Sequence, residues 1–132
     1  MRPMKVVVRY KDGRIAKGYI DRFDAEGPFF HLDKESAGGL PLWMGMDELK
    51  AVFLVKTFEG NPDYNERKVF YKSDRDLGRK VQVEFVDGEM MQGTIVGYDA
   101  QRSGFFLIPP DPGSNNISIF AISRAVINLH DV

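Results

Sequence analysis

Short segments in which apolar and polar residues alternate recur along the whole chain. Residues 6–10 put apolar side chains on one face, and an Asp12-Gly13 pair follows directly. Alternation with a period of two is typical of a half-buried β-strand, and Asp-Gly supplies the positive φ angles of a two-residue hairpin turn. The pattern therefore predicts an antiparallel hairpin, in which Gly18 of the return strand marks a bulge or a sharp bend.

The same alternation predicts five short strands in each half of the chain. In the first half they span residues 6–10, 14–23, 29–32, 40–44 and 51–56, with one helical turn at 46–49. In the second half they span residues 81–85, 89–98, 105–108, 117–120 and 125–129. Between the halves, a turn at 61–63 and a short strand or helix at 69–71 predict an ordered connector.

The sequence also repeats itself. Residues 5–25, KVVVRYKDGRIAKGYIDRFDA, return as KVQVEFVDGEMMQGTIVGYDA at 80–100, and a further shift of one residue aligns Phe29-Phe30 with Phe105-Phe106. A repeat of about 55 residues is near the lower size limit for folding alone. We therefore predict an all-β protein of two tandem five-stranded barrels packed as an internal pseudo-dimer. The predicted boundaries are 1–57 for the first barrel, 58–76 for the connector and 77–132 for the second barrel.

The order of strand, Asp-Gly turn, bent strand and last strand after a helical turn resembles the SH3-like barrel class. The pattern V-x-V-x-Y-x-D-G-x-x-x-x-G-x-I-x-x-F-D, read from Val6 to Asp24, resembles the first motif of Sm-like proteins, which bind RNA as rings. In Sm-like proteins, an asparagine four residues after the aspartate that ends this motif helps to hold an RNA base, and an Arg-Gly pair lies between the last strands. Here Pro28 and Ser103 stand at the asparagine positions and the Arg-Gly pair is absent. The resemblance therefore implies the fold and leaves oligonucleotide binding as the alternative function.

A second resemblance covers residues 104–120, GFFLIPPDPGSNNISIF. This run is similar to the characteristic sequence motif of an uncharacterised bacterial domain that is associated with regulatory proteins, some of which carry PilZ domains. The resemblance implies a bacterial protein with a regulatory or surface-motility role. The polar loop inside the run either fixes its own turn or binds a partner through Asn115 and Asn116.

Charge is distributed unevenly along a chain whose net charge is −1. Residues 1–57 hold ten Lys or Arg against eight Asp or Glu, whereas residues 77–132 hold four against six. The second repeat carries Glu at the positions of Arg9 and Arg14. Three explanations stay open: a solvated face, head-to-tail association of a positive with a negative edge, or contact with phosphates. The oligonucleotide-binding alternative uses Arg2, Lys5, Arg9, Lys11, Arg14 and Trp43.

Adjacent apolar residues within a strand are the candidates for a protein-binding surface. Neighbouring side chains of a strand point to opposite faces, so the residues beside Phe30 and Phe106 point outward if those two enter the cores. The outward set is then Phe29, Phe105 and Leu107. These residues, like the apolar run at 52–55, either bury against the other repeat or form an exposed patch for a protein partner.

The residues that commonly carry catalysis are scarce. The chain has no cysteine, and its two histidines, His31 and His130, lack a neighbouring nucleophile or a metal-ligand spacing. We therefore expect no enzyme activity, no cofactor and no metal site. No apolar run approaches the roughly 20 residues of a membrane helix, which favours a cytoplasmic protein without membrane insertion. The sequence predicts a protein-interaction or assembly module with an unidentified protein partner, and leaves homo-oligomer formation open.

Overall fold

The prediction of an all-β protein is confirmed, with ten strands in the residues that the computed structural model describes, 3–34, 41–97 and 102–132. The first half contains β1 (Met4–Tyr10), β2 (Ile15–Ile20), β3 (Phe29–Lys34), β4 (Leu42–Gly45) and β5 (Leu49–Val55). The second half contains β6 (Arg79–Phe85), β7 (Met90–Val96), β8 (Gly104–Ile108), β9 (Asn116–Ile122) and β10 (Val126–Asp131). A short 3-10 turn precedes each last strand, at Met46–Glu48 and Ser123–Ala125.

The ten strands form one continuous antiparallel sheet in the order β10-β6-β7-β8-β9-β5-β1-β2-β3-β4. Both repeats have the same internal order of fifth, first, second, third and fourth strand. β9 of the second repeat pairs with β5 of the first, and this contact, which we call the junction, joins the repeats head to tail. The sheet is open, since β10 and β4 lie at its two ends. Two separate barrels therefore stay a prediction.

The pairing registers show which residues of the two repeats are equivalent. β3 and β8 are related by the same sequence offset as residues 5–25 and 80–100, without the additional shift of one residue. The pairs Tyr19 with Asp33 and Thr94 with Ile108 establish this offset. Phe30 is therefore equivalent to Phe105, and His31 to Phe106. The predicted shift of one residue, which equated Phe30 with Phe106, is wrong.

The fourth strands of the repeats can be compared in the same way. Trp43 of β4 lies opposite His31, and Phe120 of β9 lies opposite Phe106. Because His31 and Phe106 are equivalent, Trp43 and Phe120 occupy the same place in their repeats. The fourth-strand ends of the two repeats can thus be compared side chain by side chain.

Strand β5 is buried on both faces, which accounts for its unbroken apolar sequence. Val52 lies opposite Val8 of β1, on the face of the first repeat's core. Phe53 lies opposite Ile119 of β9, on the other face, in the core of the second repeat. Since alternate side chains of one strand point to opposite faces, both faces of β5 are covered, and the apolar run at 52–55 buries against the other repeat. This was one of the two alternatives that the sequence left open.

Glycines occupy the places where the backbone demands them. Gly13 and Gly88 have φ angles of 95° and 91°, whereas Asp12 and Asp87 do not have positive φ. Tyr10 N donates to the Arg14 carbonyl and Phe85 N to the Glu89 carbonyl, so each loop has three residues with glycine in the left-handed position. The hairpins are confirmed, and the predicted two-residue turn is wrong. At Gly18 a Cβ atom would lie 2.2 Å from the Asp33 carbonyl oxygen. The glycine in β2 therefore permits a close approach of β3, which a larger residue would prevent.

The connector between β5 and β6 contacts both repeats. At its start the Phe58 ring lies edge-on to Tyr19, with 5.4 Å between ring centroids, and Lys17 Nζ donates to the Phe58 carbonyl at 3.2 Å. Farther along, Phe70 N donates to Gln92 Oε1 at 3.0 Å. Residues 69–71, for which a strand or helix was predicted, form neither.

Candidate interaction surface at the end of the sheet

Exposed aromatic side chains form one cluster on β3 and β4. We call Phe29, His31 and Trp43 the edge cluster. The ring centroids of His31 and Trp43 lie 3.8 Å apart, and those of Phe29 and Trp43 lie 6.3 Å apart. Phe29 is 57% exposed and Trp43 is 69% exposed. In the described part of the chain β4 pairs on one side only, so its other side offers backbone groups to a further strand.

The equivalent aromatic pair in the second repeat is covered at the junction, with Phe120 buried and Phe106 half-buried. The ring centroids of Phe106 and Phe120 lie 4.9 Å apart. Phe23 of the first repeat packs on both, at 6.2 Å from Phe106 and 4.7 Å from Phe120. Phe120 is only 2% exposed. The same pair of positions is therefore covered where β5 continues the sheet and exposed where the sheet ends.

Of the three predicted outward residues, only Phe29 points outward. Phe105 and Leu107 are buried in the core of the second repeat. Because Phe105 is equivalent to Phe30, it takes the inward position and leaves Phe106 on the outer face. The prediction that Phe105 and Leu107 form an outward surface is wrong, and its cause is the shift introduced into the repeat alignment.

Asn115 and Asn116 are bound within the chain. Asn115 Nδ2 donates to the Thr57 carbonyl at 2.9 Å, and Asn115 Oδ1 accepts from Thr57 N and Oγ1, each at 3.2 Å. Asn116 N donates to Ser114 Oγ at 3.0 Å, and Asn116 pairs with Val55 across the junction. The Asn115 amide thus fixes the start of the connector, which favours the turn-fixing alternative for this loop over partner binding.

Asp111, in the same loop, anchors the middle of the connector. Its carboxylate accepts from Arg67 N at 3.0 Å, from Tyr64 Oη at 2.8 Å and from Gly113 N at 2.8 Å. These donors, the Arg67 amide foremost, hold the pKa of Asp111 below its ordinary value of 3.8. The Arg67 side chain in turn donates to Asp74 at 2.7 Å and lowers the pKa of that carboxyl group.

The β1–β2 hairpin that carries Arg9 and Arg14, which we call the basic hairpin, lies beside the β6–β7 hairpin that carries Asp87 and Glu89 inside one molecule. Arg9 Nη1 lies 4.0 Å from Glu89 Oε1. Lys50, whose side chain is 4% exposed, donates to Asp87 Oδ2 at 2.7 Å and also to Glu89 Oε1. The Lys50 hydrogen bond is the largest cause that lowers the pKa of Asp87. Opposite charges in the two repeats therefore complement each other without a second copy of the chain.

Two other cations of the basic hairpin have local contacts. Arg14 Nε donates to Asp12 Oδ2 at 2.7 Å. Lys5 Nζ lies 5.9 Å from the centroid of the Phe58 ring. Lys5, Arg9 and Arg14 thus each have a neighbour within the chain, while the side chains of Arg9 and Arg14 are 45% and 66% exposed.

Of the remaining candidates for oligonucleotide binding, Trp43 lies on β4 and contacts Phe29 and His31. Lys11 is half-buried beside the first turn. Arg2 lies outside the described residues. Trp43 therefore belongs with the aromatic candidates and not with the cations among which the sequence placed it.

A polar cavity of about 410 Å³ lies beside the two 3-10 turns. Its lining includes Pro28 and Ser103, the positions at which Sm-like proteins carry asparagine. Arg102 and Arg124 also line it, but each lies against a carboxylate, at 3.5 Å and 2.7 Å respectively. The positive charge of this cavity is therefore balanced within the chain.

Sequence reasoning missed two residues of these sites. His31 was considered only as a catalytic group, although its ring packs edge-on against Trp43 in the edge cluster. Lys50, which lies between the predicted helical turn and the predicted strand, was not a candidate, yet it is buried against two carboxylates. Both depend on strand register, for which the only sequence signal is the alignment of the repeats.

Within the described ranges, no group of three or more His, Asp or Glu side chains is placed to hold a metal ion, and no helix has the length and apolarity needed to cross a membrane. Neither the curated proteins nor the solved structures contain a match to the chain. One family model, described as a family of unknown function (DUF6982), matches residues 2–132 and so spans both repeats and the connector. The chain therefore belongs to the DUF6982 family.

Proposed function

We propose that the protein is a non-enzymatic interaction module that binds an extended segment of a partner protein along β4, beside the edge cluster. One observation carries the proposal. Trp43 is 69% exposed, whereas its equivalent Phe120 is 2% exposed because a neighbouring strand and Phe23 cover it. The binding of a strand at β4 would give the edge cluster the cover that its equivalent has.

Two physical features of the edge support binding of this kind. Large exposed aromatic side chains that lie together mark interaction surfaces, because burying them removes apolar area from water. A strand at the end of a sheet offers unpaired backbone groups, so an extended peptide can continue the sheet while side-chain pockets supply specificity. Both features coincide at β4.

The cellular setting is part of the proposal. We infer that each repeat is an SH3- or Sm-like unit, which is supported by their identical strand order. We also infer a cytoplasmic role in a bacterial regulatory or assembly system, which is supported by the resemblance at residues 104–120. The proposal assigns no catalytic step, no cofactor and no metal to the protein.

Peptide display tests this function without knowledge of the partner. A random peptide library is selected against the full chain, with Trp43→Ala and Ile127→Ala as parallel targets. Ile127, 61% exposed on β10 at the opposite end of the sheet, is the matched control. We expect peptides that bind the wild type and the Ile127 variant but not the Trp43 variant. Equal enrichment on all three targets would refute a site at β4.

Oligonucleotide binding is the second candidate, and the exposed Trp43 ring favours it. Aromatic side chains stack on bases and contribute about 1–3 kcal/mol per base. Titration with short oligo-U and oligo-A at low and physiological salt, followed by Trp43 fluorescence, distinguishes this candidate. Binding with a salt dependence of several phosphates would establish it, whereas no binding at low salt would eliminate it.

A further inference from the structure

We propose that the partner segment resembles β5 in pairing and sequence pattern. It pairs antiparallel to β4 and presents a small apolar, an aliphatic and a bulky apolar residue in succession. The inference rests on the proposed function, because it names the partner of that same edge. The segment belongs to another protein and not to a second copy of this chain. The pairing of β5 with β9 at the junction is the model for the pairing of the partner segment with β4.

At the junction, β5 supplies three consecutive residues to β9. Ala51 lies opposite Ala121, Val52 opposite Phe120 and Phe53 opposite Ile119. The residues of β4 equivalent to that stretch of β9 are Met44, Trp43 and Leu42. The register therefore assigns the partner a small residue opposite Met44, an aliphatic residue opposite Trp43 and a bulky apolar residue opposite Leu42.

The two faces of the partner strand have different surroundings. Met44 is buried in the first repeat's core, so the partner residue opposite it must be small. The residue opposite Trp43 points to the outer face and covers the edge cluster, as Val52 lies beside Phe120. A partner strand with apolar side chains at only every second position would cover apolar residues on one face and leave those on the other face uncovered. We therefore expect three successive apolar residues.

A second copy of the chain does not supply this pattern. β10 is the equivalent of β5, since Leu129 lies opposite Val83 as Val52 lies opposite Val8. It places exposed Asn128 and His130 where β5 has Ala51 and Phe53. Inserting these polar groups beside Met44 and Leu42 would remove them from water without hydrogen-bond partners, which opposes association.

The length of the edge limits how strongly it binds. β4 has four residues, whereas β9 has seven. Pro41, just before β4, has no backbone N–H to donate, so the pairing ends there. We expect a dissociation constant on the order of 10–100 μM, typical of a short and transient contact, with the edge cluster providing most of the selectivity.

Peptides taken from the chain itself test the register. The probe is fluorescein-labelled LKAVFLVKT, the sequence of residues 49–57, and binding to the full chain is followed by anisotropy. We expect binding in the micromolar range to the wild type and to Ile127→Ala, and at least tenfold weaker binding to Trp43→Ala. Replacing the phenylalanine of the probe by aspartate should abolish binding. Amide hydrogen exchange at Leu42–Gly45 should slow when the probe is bound.

A second probe, VINLHDV from residues 126–132, decides between the occupants. We expect it to bind at least tenfold more weakly than the first. If it binds as tightly, and sedimentation shows dimers or larger assemblies of the intact chain, the partner is a second copy and the inference is wrong. If neither probe binds while displayed peptides still require Trp43, the junction is the wrong model for this pairing and the proposed function stands. If no displayed peptide requires Trp43, the proposed function fails as well.

Discussion

The junction and the β4 edge are built from equivalent residues in opposite circumstances. At the junction, Phe106 and Phe120 lie beneath Phe23, and β5 continues the sheet. At the edge, His31 and Trp43 form the same ring pair, and in the described part of the chain the sheet stops. The two pairs differ in the neighbouring strand, and also in polarity, since His31 stands where the second repeat has Phe106. An exposed position whose equivalent is buried therefore indicates which kind of neighbour it lacks.

The comparison predicts its largest difference for the pair Phe120 and Trp43. Phe120→Ala should lower the free energy of unfolding by about 3–5 kcal/mol, because it opens a cavity among packed rings. Trp43→Ala should change it by about 0.5 kcal/mol or less, since the side chain is mostly in water. Urea denaturation of both variants measures the two values. Similar losses in the two would show that Trp43 is as well covered as Phe120, which would contradict the contrast between the edge and the junction.

The next largest effect concerns the ions at the junction. Asp87→Asn combined with Glu89→Gln should destabilise the protein by about 3 kcal/mol, because the charge of buried Lys50 is left without its partners. Lys50→Met is the control: it should cost less, since both carboxylates are partly exposed and stay hydrated. Thermal unfolding of the two variants at pH 7 provides the test. A larger loss in Lys50→Met would contradict the assignment of the cost to an unpaired charge.

Low pH should remove a stabilising contribution of the connector but none of the β4 edge. The pKa of Asp111 is lowered in the folded protein from 3.8, so its contribution to stability is present above that value and is lost as the pH falls through the folded pKa. Asp111→Asn should therefore have a lower urea midpoint than the wild type at pH 7, and the gap should narrow below about pH 3.8. Trp43→Ala should show no such narrowing. A gap for Asp111→Asn that is independent of pH would contradict the role of the ionised carboxylate.

The smallest effect is expected for the exposed ion pair of Asp47 and Arg124. The two side chains are 76% and 72% exposed and lie 2.7 Å apart. Asp47→Asn should change the free energy of unfolding by less than about 0.5 kcal/mol, because water and salt screen exposed pairs. Chemical denaturation at low and high salt checks this. A loss above about 1 kcal/mol, the upper end for exposed pairs, would mean that surface charge, and not apolar packing, holds the repeats together.

The elements of the fold were predictable because each carries a local signal. Alternating residues and the Asp-Gly pairs identified all ten described strands and both hairpins. The turns themselves have three residues, with positive φ at the glycine only. The repeat correctly indicated that the halves share their order of strands. These properties are set within a hairpin, where neighbouring residues along the chain determine the geometry.

The arrangement of the halves was not predictable in the same way. The junction joins β5 and β9, which lie far apart in sequence, and no local pattern fixes that pairing. A one-residue error in aligning Phe30 with Phe106 was enough to assign Phe105 and Leu107 to the outer face, because a strand alternates its faces. The same dependence on register hid the edge cluster, which unites Phe29 with Trp43. The sequence named both residues but assigned them to different functions.

Strand β5 also constrains how the protein can be made and divided. It leaves the ribosome with the first repeat, but its pairing partner β9, with Ile119 opposite Phe53, is synthesised later. A nascent chain that has reached the connector therefore carries a completed hairpin region and an apolar strand with one unpaired edge. A fragment cut after residue 57 would keep that strand exposed, and a fragment starting at residue 77 would lack it. We therefore expect neither half to fold alone, so that the two repeats are made and degraded as one unit.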